Sequence, residues 1–493
     1  MRTTIISAPG KVLVAGGYLV LDPAYSGVVV STSSRFYTVV RDEPSSTVNT
    51  IHVRSPQFLN SSWLYTTVLD PSVLIEAAAV NSGKNKFVHL ALQHTIALAV
   101  EVKGLAAVQQ ALSRPLDITI VGDNDFYSQR AKLEELRLPR TIHSLASIPP
   151  FCPTGVTLAD VHKTGLGSSA ALITSLTAAL LVHLDVVSQA SLSEDVGEGR
   201  RLAHNLAQFV HCVVQGKVGS GFDVSAAVFG SHLYTRFDPS VIQDLMGETQ
   251  PKLYPILSPA NPAWNYHIGN FKLPPYTRIM LADVDAGSDT PSLVGKVLKW
   301  RKEKDAEADA LWKNLDQLNQ SLAQVLLHLS KLHDQDPKNY ESAVKYLSSL
   351  QSLQWGANPL QPPEEEPIVK ALSEAHDISE QIRAKMREMG TLSGVPIEPE
   401  EQTRLLDTCT ALPGVIGGGV PGAGGYDAIW LLVCDTTATK PDQSPLERVE
   451  NIWSAYKELS MSPLSSKESL AKGIRLEVLD DIPGLGAAIA ASS

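Results

Sequence analysis

Lys163-Thr164-Gly165-Leu166-Gly167-Ser168-Ser169-Ala170-Ala171 runs directly into a stretch rich in Ala and Leu that ends near Leu184. The first amide groups of a helix lack intrahelical partners and carry partial positive charge. Glycines that admit close approach, followed by serine hydroxyls, therefore make a seat for phosphate groups at such a terminus. A tight turn that only caps a buried helix uses the same residue types, and a short Gly-x-Gly is weak by itself. The sharper signal is Ser168-Ser169-Ala170-Ala171 opening straight onto a helix with the composition of a core.

Upstream of this loop the pattern is mainly β. Thr3–Ser7 and Lys11–Val14 are short β-prone runs broken by Pro9 and Gly10, and Gly27–Val30 and Arg35–Val40 continue the series, so an antiparallel sheet is expected. Lys86–Val100 has helical periodicity, Leu116–Val121 reads as a strand, and a further strand is expected near Val156–Val161. Downstream, a helix over Glu198–Gln215 precedes Gly216-Lys217-Val218-Gly219-Ser220-Gly221-Phe222-Asp223, and a strand is expected over Ser231–Phe237. The proline-rich stretch Pro251–Pro275 reads as a connection between domains. Beyond it, Arg278–Asp283 and Ala428–Cys434 read as strands. Between them lie helices over Ser292–Leu332, Lys338–Leu353, the segment through Met389 and Glu400–Leu412. The glycines from Gly417 to Gly425 need no more than a turn to explain them.

The chain has 493 residues, 44% hydrophobic and 19% charged, which suits two ordinary globular domains, expected over 1–260 and 261–493. A net charge of -11 argues against a nucleic-acid partner, because phosphate backbones are met by clustered Lys and Arg. The apolar runs are shorter than the roughly 20 residues that span a bilayer, so no membrane partner is expected. Cys152, Cys212, Cys409 and Cys434 form no C-x-x-C pair, and the opening residues do not read as a signal peptide. A cytoplasmic monomer or homodimer is the expectation. Neither His89 and His94 nor His204 and His211 have metalloprotease spacing, and all four read as core or surface histidines.

No G-x-x-x-x-G-K-[ST] string occurs, which disfavours a P-loop enzyme. Ala8-Pro9-Gly10-Lys11, the Lys163–Ala171 loop and Pro421-Gly422-Ala423-Gly424-Gly425-Tyr426-Asp427-Ala428 instead resemble, in order, the three motifs of the GHMP kinases. Within that superfamily the closest resemblance is to the fungal and plant type of phosphomevalonate kinase. It is carried by Gly16-Gly17-Tyr18-Leu19-Val20-Leu21-Asp22, Val284-Asp285-Ala286-Gly287-Ser288-Asp289-Thr290 and Gly394-Val395-Pro396-Ile397-Glu398-Pro399. The Gly-Glu-His continuation usual in mevalonate kinases is replaced by Gly16-Gly17-Tyr18, and the galactokinase string is absent.

The resemblance implies an α+β fold, with an N-terminal ribosomal-S5-domain-2-like α/β domain and a C-terminal ferredoxin-like domain enlarged by helices. It implies ATP and Mg²⁺ as cofactors and 5-phosphomevalonate as acceptor. The alternatives are mevalonate or another small alcohol as acceptor, or a silent ligand sensor on the same fold. Lys163, Thr164, Gly165, Leu166, Gly167, Ser168, Ser169 and Ala170 would seat ATP, with Ser168 or Ser169 on the metal unless they only cap the helix. Lys11 would stabilise the moving phosphoryl group. Asp223 would act as general base, orient Lys11, or cap the helix beginning near Val224. Tyr18, Ser288, Thr290, Ala423, Gly424 and Lys11 would meet the acceptor.

Overall fold

A computed structural model of the chain describes residues 2–43, 48–78, 85–247, 251–284, 290–357, 362–436 and 444–491. The two β-prone runs at the start form one strand, β1 (Thr3–Ala15), whose register with its neighbour shifts between Pro9 and Lys11. A bulge absorbs the Pro9-Gly10 pair where a break was expected. The next two runs likewise merge into β2 (Ser26–Asp42).

The following strands are β3 (Thr50–Arg54), β4 (Ser62–Val68), β5 (Leu74–Ala77), β6 (Leu116–Gly122), β7 (His232–Thr235) and β8 (His267–Asn270). Then come β9 (Thr277–Val284), β10 (Val415–Gly419), β11 (Ala428–Cys434), β12 (Met461–Leu464) and β13 (Arg475–Leu476). Among the described residues the first sheet has the order β13-β1-β2-β6-β3-β4-β5, with β7 pairing β2 and β8; β3 and β6 run parallel. The second sheet, β10-β11-β9-β12, is antiparallel.

The helix Ser168–His183 lies on β1 and β2 and packs against the helices Lys86–Lys103, Glu198–Gln215 and Phe222–Phe229. Past its first turn it is buried on nearly every side, with Ile173, Leu176 and Leu180 wholly buried and Thr174, Ser175 and Thr177 buried among them, as a helix at the centre of a core should be. Each such apolar side chain contributes roughly 1.5–3 kcal/mol on burial. This anchors the N-terminal end that carries Ser168 and Ser169.

Residues 156–161 form no strand, contrary to expectation. The backbone there is satisfied singly, with the N–H of Leu59 donating to the carbonyl of Val156 and that of Ser128 to the carbonyl of His162. The loop thereby gains a different use, since His162 and Arg130 both reach Asp283 of β9, at 3.1 and 3.4 Å. Arg130 also donates to the hydroxyl of Ser462 in β12 at 2.6 Å. Burial raises the Asp283 carboxyl to about 6, against the lowering effect of His162 and Arg130.

The glycines expected to form only a turn begin as β10. A β-carbon at Gly417 would stand 2.5 Å from the Ser379 hydroxyl, and one at Gly418 2.4 Å from Leu431. Bare backbone is what lets the helix Glu366–Ser393 and β11 close on this strand. The helix Asp305–Gln335 packs along Glu366–Ser393 and also touches β2, so the helical insertion spans from one sheet to the other.

Candidate active site

Gly165 and Gly167 take left-handed backbone angles, φ 78° and 79°, and Gly167 is the N-cap of the helix Ser168–His183. No side chain caps this terminus, so neither Ser168 nor Ser169 serves as its N-cap. The first turn keeps its amide groups for a ligand. Thr164 is buried, with its hydroxyl hydrogen committed to the carbonyl of Asp125. It anchors the loop from beneath, as does buried Leu166, while Lys163 is exposed beside it.

The first and second motifs meet at close quarters. The backbone N–H of Lys11 donates to the carbonyl of Leu166 at 2.9 Å, and a β-carbon at Gly10 would come within 2.8 Å of that same oxygen. The Lys11 methylenes pass over Gly167, where a β-carbon would lie 3.0 Å from Cε. The ammonium donates to Gly165 at 2.8 Å and stands 5.4 Å from the Phe222 ring centre. Burial lowers the Lys11 pKa, while Asp223 and Asp427 push it back up.

Asp223 sits in the first turn of the helix Phe222–Phe229, with one oxygen accepting the Val224 N–H at 2.9 Å. Gly221 holds the N-cap position, and the Asp223 carboxylate satisfies one amide of the first turn, so it serves the helix terminus with that oxygen. The loop that delivers it is held by Arg236, which donates to the carbonyls of Val218, Gly219 and Leu21. His211, read from sequence as a core or surface residue, lies 3.7 Å from the other Asp223 oxygen and 3.2 Å from the Ser169 hydroxyl.

Two cavities flank the loop. One of about 420 Å³ is lined by Lys163, Ser168 and Ser169 together with Trp63, Phe87 and Tyr127. The other, about 230 Å³, is lined by Lys11, Gly165, Tyr18, Ala423, Gly424 and Asp427. Tyr18 is buried, and its hydroxyl donates to the carbonyl of Ala423 at 2.7 Å. Gly424 has φ 74°, and a β-carbon on it would come 2.0 Å from the carbonyl oxygen of Ile397. That oxygen accepts the N–H of Gly425 at 2.8 Å. The Gly394–Pro399 string thus pins the third glycine loop, and its buried Glu398 is gripped by Arg383 and Arg387 at 2.8 and 2.7 Å. Ser288 and the side chain of Thr290 lie outside the described residues. Among the described residues no cluster of three or more His, Cys, Asp or Glu could hold a metal ion. None of their helices is long and apolar enough to cross a membrane.

Residues 132–231 match the GHMP kinases N terminal domain. Over 486 residues the chain is 38% identical to the peroxisomal phosphomevalonate kinase of Arabidopsis thaliana, covering 93% of each chain. It is 36% identical to a phosphomevalonate kinase of Aspergillus fumigatus over 88% of its own length and 87% of that protein. The chain belongs to the phosphomevalonate kinases of the GHMP superfamily. The kinase also shares its fold with a Streptococcus pneumoniae phosphomevalonate kinase solved with phosphomevalonate and AMPPNP. There the TM-score is 0.55 at 16% identity, over 95% of this chain and 100% of that one. A Listeria innocua protein gives a TM-score of 0.61 at 15% identity, over 97% and 99%.

Several residues of the kinase's site went unread in the sequence. Asp427, in the third motif, lines the smaller cavity with Lys11 and acts on its charge. Trp63 and Phe87 lie far from any motif and are carried to the loop by β4 and by the start of the helix Lys86–Lys103. Lys163 lines the larger cavity and not the smaller.

Proposed function

We propose that the kinase transfers the γ-phosphoryl group of ATP to the phosphate of 5-phosphomevalonate, giving 5-diphosphomevalonate and ADP in the mevalonate pathway. The observation that carries this reading is the position of Lys11, beside the phosphate loop and on the wall of the smaller cavity. ATP would place its base in the larger cavity among Trp63, Phe87 and Tyr127, with its phosphates over the first turn of the helix Ser168–His183. The acceptor would enter the smaller cavity, between Lys11 and the loop of Ala423 and Gly424.

An oxygen of the acceptor phosphate then bonds to the γ-phosphorus as the bond to the bridging oxygen of ADP breaks. Charge spreads over the equatorial oxygens in that transfer, and a fixed ammonium stabilises it. A phosphate monoester loses its second proton near pH 6, so at neutral pH the acceptor arrives largely without a proton to remove. This favours an electrostatic role for Asp223 over that of general base. With Asp427 it opposes the lowering that burial imposes on the Lys11 ammonium and so favours its charged form.

Magnesium fits the oxygen chemistry of the loop. Mg²⁺ keeps several waters and takes few protein ligands, and the half-buried hydroxyls of Ser168 and Ser169 are hard donors beside the phosphate seat. Bound there with ATP oxygens, it would neutralise phosphate charge. The reading divides the chain into an ATP-binding part, 1–260, and a second part, 261–493, with β8 and β13 returning to the first sheet. It also takes the kinase as a cytoplasmic monomer or homodimer. A fluorescent fusion tests the address against the peroxisomal one in the name of the Arabidopsis relative, and light scattering tests the mass.

The deciding experiment is an ADP-release assay with Mg-ATP and, separately, phosphomevalonate, mevalonate, homoserine and galactose. Turnover confined to phosphomevalonate supports the proposal. Turnover with another acceptor overturns the substrate, and none with any overturns the reaction.

A further inference from the structure

His211 stands one helical turn before the end of the helix Glu198–Gln215 and is 4% exposed. Its Nε2 lies 3.2 Å from the Ser169 hydroxyl, 3.1 Å from the Gln215 amide nitrogen and 3.7 Å from a carboxylate oxygen of Asp223. One ring nitrogen thus faces the phosphate loop, its own helix and the helix Phe222–Phe229 together. A histidine that merely fills a core does not need such an address.

We propose that His211 is a positioning residue for phosphoryl transfer, whose Nε2 accepts the hydrogen of the Ser169 hydroxyl and turns that hydroxyl's lone pairs toward the phosphate loop. The inference rests on the reading that this loop seats ATP. A serine hydroxyl has one hydrogen and two acceptor lone pairs, and its hydrogen rotates to whichever acceptor is at hand. A hydroxyl that serves a cation beside ATP must offer a lone pair, so its hydrogen needs an acceptor elsewhere. The 3.2 Å contact supplies one. The Gln215 amide nitrogen lies 3.1 Å from the same Nε2, and in the tautomer with the hydrogen on Nδ1 its hydrogen and that of the Ser169 hydroxyl share the single Nε2 lone pair. No hydrogen then lies between Nε2 and Asp223. The carboxylate is left to Lys11, with its other oxygen on the Val224 N–H.

The test is a double-mutant cycle on the full chain with Mg-ATP and the acceptor that the wild type uses, joined to calorimetry with a non-hydrolysable ATP analogue without metal. His211→Ala should lower kcat about 10- to 100-fold, as small misplacements in a transfer site do. Metal-free analogue affinity and acceptor KM should stay within about threefold. His211→Gln, whose amide oxygen can reach the place of Nε2, should recover most of the lost kcat. In a Ser169→Ala background, His211→Ala should remove less than about twofold more, because no hydroxyl remains to be oriented. Full additivity of the two losses overturns the proposal. So does a Gln variant that folds with the wild-type melting temperature and is as slow as the Ala variant. Because the cycle runs on whichever acceptor turns over, a wrong substrate in the functional proposal leaves this inference standing. A Ser169→Ala variant with the wild-type kcat sinks the inference alone.

Discussion

The ammonium of Lys11 donates to the carbonyl oxygen of Gly165 at 2.8 Å, so the cation on β1 is held by the loop beside which it works. Removing it should hurt the chemical step more than binding. Lys11→Met is expected to lower kcat by about 10²–10³, the usual loss for one donor to developing charge, with KM for ATP changed only a few-fold. Lys11→Arg should not restore the rate, because a planar fork cannot follow the path of the methylenes over Gly167. Steady-state kinetics with both substrates checks this.

Asp223→Asn should change a pH profile as well as a rate. Burial lowers the Lys11 pKa and Asp223 opposes it, so loss of the carboxylate drops that pKa further. The alkaline limb of kcat, where Lys11 loses its proton, should move to lower pH in the variant. A limb that stays in place removes the electrostatic pairing from the mechanism.

Gly424→Ala tests the pinned loop. The alanine would need φ near 74° and would drive its β-carbon into the Ile397 carbonyl, so the loop must shift. A loss of about 1–3 kcal/mol in stability is expected from such strain. KM for phosphomevalonate should rise while KM for ATP holds.

Phe87→Ala tests the larger cavity. Phe87 is half-buried on its wall, and aromatic contact with a base contributes roughly 1–3 kcal/mol. KM for ATP should rise about tenfold, with KM for the acceptor unchanged. The reverse pattern would exchange the two cavities.

Asp283 has its carboxyl raised to about 6 from an ordinary 3.8, which means that the folded protein holds this proton more tightly than the unfolded chain. Its contribution to stability is complete below the unfolded value and is lost as pH rises toward and through 6. At about 1.4 kcal/mol per unit, roughly 3 kcal/mol is at stake. Urea unfolding midpoints of Asp283→Asn should fall less between pH 4 and 6.5 than those of the wild type.

The parts of this fold that sequence revealed are those decided over a few neighbouring residues. The left-handed Gly165 and Gly167, the Ala- and Leu-rich helix after them and the strand β11 over Ala428–Cys434 belong to that kind. Where partners come from far along the chain, the pattern misled. Residues 156–161 look like a strand until the loops that claim their carbonyls are known, and Gly417–Gly419 look like a turn until a helix is laid across them. His211 was set aside for the same reason. Its spacing from other histidines carried no meaning, and its closeness to Ser169 arises only when two helices pack.

In β1, the strand that bears Lys11, the outer side of Ile6 and Ser7 is paired by the two-residue β13, and the Ser7 hydroxyl there donates to Glu477, 470 residues further along. At the roughly 5–20 residues per second of translation, that edge stands open on the ribosome for about half a minute or longer. An unpaired edge is a template for stray strands. These two residue pairs of the first sheet, and the Ser7–Glu477 contact beside them, therefore form only when synthesis is nearly over.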